Sequence, residues 1–259
     1  QTHPSKRVFV TGAEDKTVRV WDMDTRKQIN IKTMEAAVCA VAISLDGSHI
    51  AAGLEDGKLV ILKARSLRPA MERKDRKKAL TETKYSANGK FLAVGSFDGF
   101  IDLYDVMSDY EWIGTCQGHK SAVACIDWSN DSKLLMSDDR TGLHIFWDVE
   151  STKEIMVAAE VRDVEWASFT ATQGWPAQGI GPKFQGATGI NTSCRSSFGD
   201  SIATGDDWGV VKLFRYPCIT PGARCKRYGG HSSRVGKIRF SFEEKTVIST
   251  GWVDGLVIQ

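Results

Sequence analysis

Apolar and polar positions along this chain alternate in short bursts, not with the period of a helix. One unit recurs: an apolar run, a small residue, a glycine, a few polar residues, then a second apolar run. It appears as Val8-Phe9-Val10-Thr11-Gly12, Ile50-Ala51-Ala52-Gly53, Phe91-Leu92-Ala93-Val94-Gly95, Ile202-Ala203-Thr204-Gly205 and Val247-Ile248-Ser249-Thr250-Gly251. Nine residues after the first four glycines stands a large side chain: Trp21, Leu62, Tyr104 and Phe214. A sixth copy has Asp138 at the glycine position, nine before Trp147. Successive intervals are 41, 42, 43, 67 and 46 residues. Four of the five lie near the ~40–45-residue period of a four-stranded propeller blade. The long interval holds about 24 extra residues over 167–190, where glycines cluster with Pro176 and Pro182. That is loop composition.

Within a repeat the alternation is that of half-buried strands. Ala37, Cys39, Val41 and Ile43 are expected to share one face. Val123, Cys125 and Trp128 do so after a phase change that implies a bulge, and Val235, Ile238 and Phe240 with one slip. Tight turns follow at Asp46-Gly47 and Asn88-Gly89, where glycine accepts a positive φ, and at Asn130-Asp131-Ser132. A second turn is headed by Asp15, Asp56 or Asp98, with Asp254-Gly255 in the same phase. The segment 69–84 is rich in helix formers, but the 42-residue spacing across it predicts an outer strand plus loop.

Strand, hairpin and strand in repetition resemble the WD40 family, on Trp21-Asp22, Trp147-Asp148, Gly118-His119, Gly230-His231 and the turn aspartates. The resemblance implies an all-β propeller of four-stranded antiparallel blades. Six blade signatures are visible, the first and last incomplete, and the chain is expected to be most of one propeller with sequence beyond both ends. It also implies a hydrogen-bonded chain of His, Ser or Thr, turn Asp and Trp inside a blade. The first repeat supplies Thr11, Asp15 and Trp21; the fourth His119, Ser137 and Trp147, with Thr141 at the Asp position; the last His231, Ser249 and Asp254. The second and third lack the His and the Trp, and are expected to rely on apolar packing.

The second half carries a narrower likeness. Val161 through Trp166, Gln178-Gly179-Ile180, Ala203 through Gly209, Leu213 through Cys218 and Gly229 through Val235 resemble the C-terminal propeller of the echinoderm microtubule-associated protein-like (EMAP-like) family. That implies the second propeller of a tandem pair and a cytoplasmic, cytoskeletal role on tubulin and microtubules. The alternatives are a WD40 scaffold that recruits a soluble signalling or mitotic partner, and a structural component of an axoneme.

Composition narrows the chemistry. Of 259 residues, 34 are Lys or Arg and 32 Asp or Glu, so bulk charge points to neither nucleic acid nor membrane. No run of eighteen apolar residues exists. The six cysteines show no CxxC and read as reduced, mostly buried thiols, which makes Asn130 and Asn191 chance glycosylation matches. His3, His49 and His144 are isolated, no metal-ligand spacing is present, and Asp206-Asp207 reads as a hairpin turn. No nucleophile–base–orienter set is visible, so neither catalysis nor a cofactor is expected.

Local charge is more telling. Lys63, Arg65, Arg68, Arg73, Lys74, Arg76, Lys77 and Lys78 stand against Glu72 and Asp75, a net +6. This run reads either as a surface for an acidic partner such as tubulin or as a solvated, protected edge. Arg215, Arg224, Lys226 and Arg227 form a second basic set, with no acid from 208 to 242. In the insertion, Trp175 and Phe184 are candidate loop contacts. Trp112, Trp208 and Trp252 are further rim aromatics, expected more in core than in contact.

Overall fold

The computed structural model describes residues 1–172, 174–181 and 189–259, and the chain forms two compact units, Gln1–Ala167 and Ser168–Gln259. The first holds four antiparallel sheets. They are β1 (Val8–Gly12), β2 (Thr17–Asp22) and β3 (Gln28–Thr33); β4 (Val38–Ile43), β5 (His49–Leu54), β6 (Leu59–Lys63) and β7 (Pro69–Arg73); β8 (Leu80–Tyr85), β9 (Phe91–Ser96), β10 (Phe100–Asp105) and β11 (Glu111–Gln117); and β12 (Val123–Trp128), β13 (Leu134–Asp139) and β14 (His144–Asp148). The second unit holds β15 (Ile190–Arg195), β16 (Ser201–Asp206), β17 (Val211–Arg215) and β18 (Cys225–Tyr228), then β19 (Val235–Phe240), β20 (Val247–Gly251) and β21 (Val257–Ile258). Every sheet is a meander of sequence neighbours.

Among the described residues the fourth sheet has three strands, not four. After β14 the chain starts an outer strand, with Trp147 bridged to Glu154 and the Ile155 N–H on Phe146 C=O, then leaves it for a 3-10 turn at Ala158–Val161. The 69–84 segment splits into β7, a loop, and the start of β8, so its second half opens the next sheet.

The recurring glycine has a steric cause. A Cβ built on Gly95 would lie 2.7 Å from Val123 of the next sheet's first strand. Gly12 meets Val38, Gly53 meets Leu80 and Gly205 meets Val235 in the same way. Apolar clusters fill the space between consecutive sheets of the first unit. Val10, Val18, Val38 and Leu62 lie between the first and second. Ile61, Leu80, Leu92 and Tyr104 lie between the second and third, and Ile101, Val123, Trp128 and Trp147 between the third and fourth.

Five first strands carry a bulge near their start, at Val38/Ala40, Leu80/Glu82, Val123/Cys125, Ile190/Thr192 and Val235/Lys237. The bulge corrects the expected phase of β4: Val38, Ala40 and Ala42 are buried and Cys39 is exposed. The turns after these strands share a serine device that the turn glycines alone did not reveal. Ser44 Oγ donates to Asp46 (2.6 Å) and accepts from the His49 N–H (2.9 Å). Ser86 with Asn88 and Phe91, and Ser129 with Asp131 and Leu134, repeat it. Partial burial opposes the charge of Asp46. Bonds from the Ser44 and Ser48 hydroxyls and the Ser48 N–H outweigh it and hold the carboxyl down at about 2.

Polar chains tie the strands of a sheet together. Trp21 Nε1 donates to Thr11 Oγ1 at 2.9 Å, and Asp15 accepts from Thr17 and Arg19. In the fourth sheet Trp147 Nε1 donates to Ser137 Oγ (2.8 Å), which lies 2.6 Å from His119 Nε2. Indole N–H can only donate, so the Ser137 hydroxyl can give its proton to Nε2, leaving the ring's N–H at Nδ1. Nδ1 faces Asp139 Oδ2 at 3.5 Å. Burial lowers the His119 pKa, against the pull of Asp139. Asp139, two residues before the expected Thr141, receives the Thr141 and Leu143 N–H groups and heads this turn. In the last sheet His231 lies 2.9 Å from Ser249 Oγ and 3.1 Å from Asp254 Oδ2.

His119 and His231 each stand four residues before a first strand, β12 and β19. Arg76 stands four before β8, and Met34 four before β4. Met34 packs on the apolar cluster that holds Leu62, so the second sheet uses apolar packing at this position. The third sheet does not. Arg76 forks onto Asp102 with two bonds of 2.6 Å, Thr115 Oγ1 adds a third to the carboxylate, and the guanidinium lies 4.4 Å over the Phe100 ring. Asp102 is 2% exposed.

Three outcomes follow from these contacts. Ser137→Ala strands two buried nitrogens and is expected to lower unfolding free energy by about 2–4 kcal/mol, read by urea denaturation. Arg76→Ala leaves the Asp102 charge buried without its partner and is expected to cost about 3–5 kcal/mol, whereas the paired change Arg76→Met with Asp102→Leu recovers most of it. Asp46 has a folded pKa below the ordinary carboxylate value, so its contribution is present above about pH 4 and lost as pH falls towards 2. Asp46→Asn should therefore flatten stability against pH across that window in denaturation at stepped pH.

Candidate functional site

The basic run 63–78 is not one surface. Lys63 closes β6, and Arg65 and Arg68 sit in the turn to β7, while Lys74, Lys77 and Lys78 follow β7 in the loop to β8. Neighbouring antiparallel strands put that turn and that loop at opposite ends of the sheet. A five-residue strand at ~3.3 Å per residue separates them by roughly 13–17 Å.

Three of the eight cations are engaged within the chain. Arg73 pairs with Asp75 at 2.9 Å and donates to the Tyr110 C=O, Lys74 pairs with Asp56 at 2.9 Å, and Arg76 holds Asp102. Among the eight candidate cations Arg76 is set apart: it takes the place that histidine has in other sheets, and its carbonyl packs against the turn glycine Gly57. That glycine has φ +86, and a Cβ there would lie 2.3 Å from the Arg76 oxygen. Lys63, Arg65, Arg68, Lys77 and Lys78 are exposed, and among the described residues none of the five is in an ion pair.

The insertion is partly structured. Phe169 and Ala171 are buried, and their carbonyls accept from the Arg195 N–H and Ser193 Oγ of β15. A 3-10 turn, Trp175–Ile180, then docks on the β17–β18 connection: Cys218 N–H donates to Pro176 C=O (2.7 Å) and Gly179 N–H to Cys218 C=O (2.6 Å). Ala177 and Ile180 point inward and Trp175 is 75% exposed. Phe184 lies outside the described residues. Trp112, Trp208 and Trp252 are exposed, contrary to the core expectation, because Trp208 and Trp252 sit in hairpin turns and Trp112 on the outer strand β11. Arg234 covers Trp252 at 4.3 Å.

The second basic set lies on β17, β18 and the turn between them. Arg215, Arg224, Lys226 and Arg227 are all exposed. Lys212, opposite Arg227 in the ladder, is neutralised by Asp206 at 2.8 Å. Asp206 also accepts the Trp208 and Val210 N–H groups, so it heads a hairpin turn. Arg215 and Arg224 line an open pocket of about 540 Å³ whose other walls include Pro217, Cys218, Ile219 and Ala223.

Reactive chemistry is muted. Burial pushes the Cys116 thiol up to about 12 and the Cys125 thiol well above its ordinary value, which suppresses the thiolate. His144 is paired with Asp138. Among the described residues no group of three or more His, Cys, Asp or Glu side chains is placed to hold a metal ion, and no helix is long and apolar enough to cross a membrane. What the arrangement offers is exposed positive charge on rigid sheet ends and one sheet edge.

Known proteins place this architecture. The second beta-propeller of echinoderm microtubule-associated proteins matches residues 1–259. The 77 kDa echinoderm microtubule-associated protein of Strongylocentrotus purpuratus is 38% identical over 97% of this chain and 37% of its own length. The human echinoderm microtubule-associated protein-like 2 is 32% identical over 100% of the chain and 40% of its own length. The chain thus spans about two fifths of these relatives. Among solved structures, a chain of the mitotic checkpoint complex superposes with a TM-score of 0.78 at 20% identity, covering 96% of this chain and 82% of that one, a likeness of fold alone. The six antiparallel sheets are blades of a β-propeller. The chain belongs to the echinoderm microtubule-associated protein family, as a second beta-propeller.

Proposed function

We propose that this chain is a non-catalytic binding module, most of the second of two propellers in its protein, that works on the cytoplasmic microtubule cytoskeleton. Its relatives carry microtubule association in their names. The observation that carries the reading is the set of five exposed, unpaired cations: Lys63, Arg65 and Arg68 at one end of the second sheet, Lys77 and Lys78 at the other. An acidic protein surface such as that of tubulin, or of a filament protein assembled with it, is the complement of such charge. The rigid sheets hold these groups in place, and the contact adds binding and scaffolding to the polymer.

Co-sedimentation of the complete protein with microtubules across a salt series tests this. Because the contact is between exposed charges, binding should weaken as salt rises. The variants Lys63→Glu/Arg65→Glu/Arg68→Glu and Lys77→Glu/Lys78→Glu separate the two ends. Loss in one variant of about tenfold in affinity assigns the contact to that end. Equal pelleting of both variants and the parent at every salt concentration sinks the assignment. Arg76 is left unchanged, since its loss destabilises the sheet and would confound the binding readout.

A further inference from the structure

We propose that the outer edge of β18, with the arginine pocket at its base, is a docking site for an extended acidic peptide segment of a partner protein. The site lies wholly within the second unit, and the proposal goes beyond the microtubule reading and is independent of it.

β18 is the last strand of its sheet and pairs on one side with β17, and among the described residues no other strand pairs with its outer backbone. Open edges accept an added strand, whose main chain supplies affinity while side chains supply specificity. Charge selects which strand. From 208 to 242 the chain has eight Lys and Arg residues and no acid. Lys212 is engaged by Asp206 and Arg234 by Trp252. Arg215, Arg224, Lys226 and Arg227 have no internal partner among the described residues. Lys226 and Arg227 are adjacent in the strand and project to opposite faces, so an added strand meets a cation on either side.

Cations on an edge also serve as protection against aggregation. Two features favour a ligand here. Beyond the last ladder pair, Phe214 with Cys225, come Arg215 and Arg224, which line one pocket with no acid between them. Like charges so placed repel, and a bound carboxylate would relieve that repulsion while forking onto guanidinium. The pocket wall is also braced, because both backbone groups of Cys218 are held by the 3-10 turn at 175–180. A preformed site loses less freedom on binding. Pro217, Ile219 and Ala223 add an apolar surface, which suits an aliphatic side chain beside the carboxylate and not a nucleotide phosphate. The exposed Tyr228 offers a single ring, where single-stranded nucleic acid needs a row of stacking platforms.

The test is a fluorescence anisotropy titration of the complete protein with a labelled peptide of four Glu-Val repeats. A Lys-Val peptide and a single-stranded oligonucleotide of equal charge serve beside it, and amide hydrogen exchange is read at Cys225–Tyr228. The Glu-Val peptide is expected to bind in a salt-sensitive way and to slow exchange at amides of β18. Arg215→Gln/Arg224→Gln, exposed changes that should leave the melting temperature in place, should weaken it at least tenfold. Equal binding to parent and variant overturns the proposal, as does binding without protection at Cys225–Tyr228. Tighter binding of the oligonucleotide with the same variant dependence would assign the site to nucleic acid instead. The titration contains no polymer, so its failure leaves the microtubule reading standing.

Discussion

Within each unit, the close passage of a glycine-bearing strand against the first strand of the following sheet governs the packing. At Gly95 there is no room for a side chain, because Val123 occupies the space that a Cβ would need. Gly12, Gly53 and Gly205 answer the same demand against Val38, Leu80 and Val235. Once that contact is made, the flanking apolar residues of both sheets close over it, and the clusters between consecutive sheets form. The repeat length follows. In the first unit each of the first three sheets must bring its glycine to the following first strand, and the strands and turns between fill about 41–43 residues. The hairpin after the glycine strand is bound to the same geometry: Gly57, Gly99 and Gly209 each pack against backbone carbonyls just before the following first strand.

Within this frame the residue four before the first strand is free to change chemistry. Histidine bonded to serine serves in the fourth and last sheets, methionine among apolar neighbours in the second, and arginine on a buried carboxylate in the third. These are different answers to one question, how to fill a buried or half-buried place beside a hairpin turn. A buried charge is tolerable only when its partner and its remaining hydrogen bonds are supplied. Asp102 has both, from Arg76 and Thr115. The fork is therefore part of the frame, although in sequence it looks like one more cation in a basic run.

That substitution shows where sequence reading reached and where it stopped. The glycine period, the turn residues and the large side chain nine positions on were legible because backbone sterics restrict those positions to few residue types. The phase of β4 was not, because a one-residue bulge reverses faces without any marker residue, which put Cys39 on the wrong side. Asp139 was hidden by an expectation of its place two residues later, although it is bonded to the very threonine found there. The serine of the first turn left a signal that spacing could have found, since Ser44, Ser86, Ser129, Ser196 and Ser241 all stand at strand ends. The role of Arg76 was findable too, by counting back from the first strand as for Gly118-His119. Least legible was the division of the 63–78 run between two ends of a sheet, since closeness in sequence says nothing about which side of a strand a turn occupies.

The division separates cations by whether the fold already neutralises them. Arg73, Lys74, Arg76 and Lys212 each face a carboxylate within hydrogen-bonding reach, so their charge is internal to the structure. A cation with a built-in counter-charge gains little from an outside anion, because binding must first break or share the existing pair. Lys63, Arg65, Arg68, Lys77 and Lys78 in one unit, and Arg215, Arg224, Lys226 and Arg227 in the other, carry no such pair among the described residues. Their field extends over about a Debye length, ~8 Å at physiological ionic strength, and adds where they cluster. Such groups lower the stability of the free chain slightly through mutual repulsion, which salt screens and a bound external acid relieves. On the reading we propose, the unrelieved charges are the contact surfaces, and the relieved ones belong to the frame that holds them.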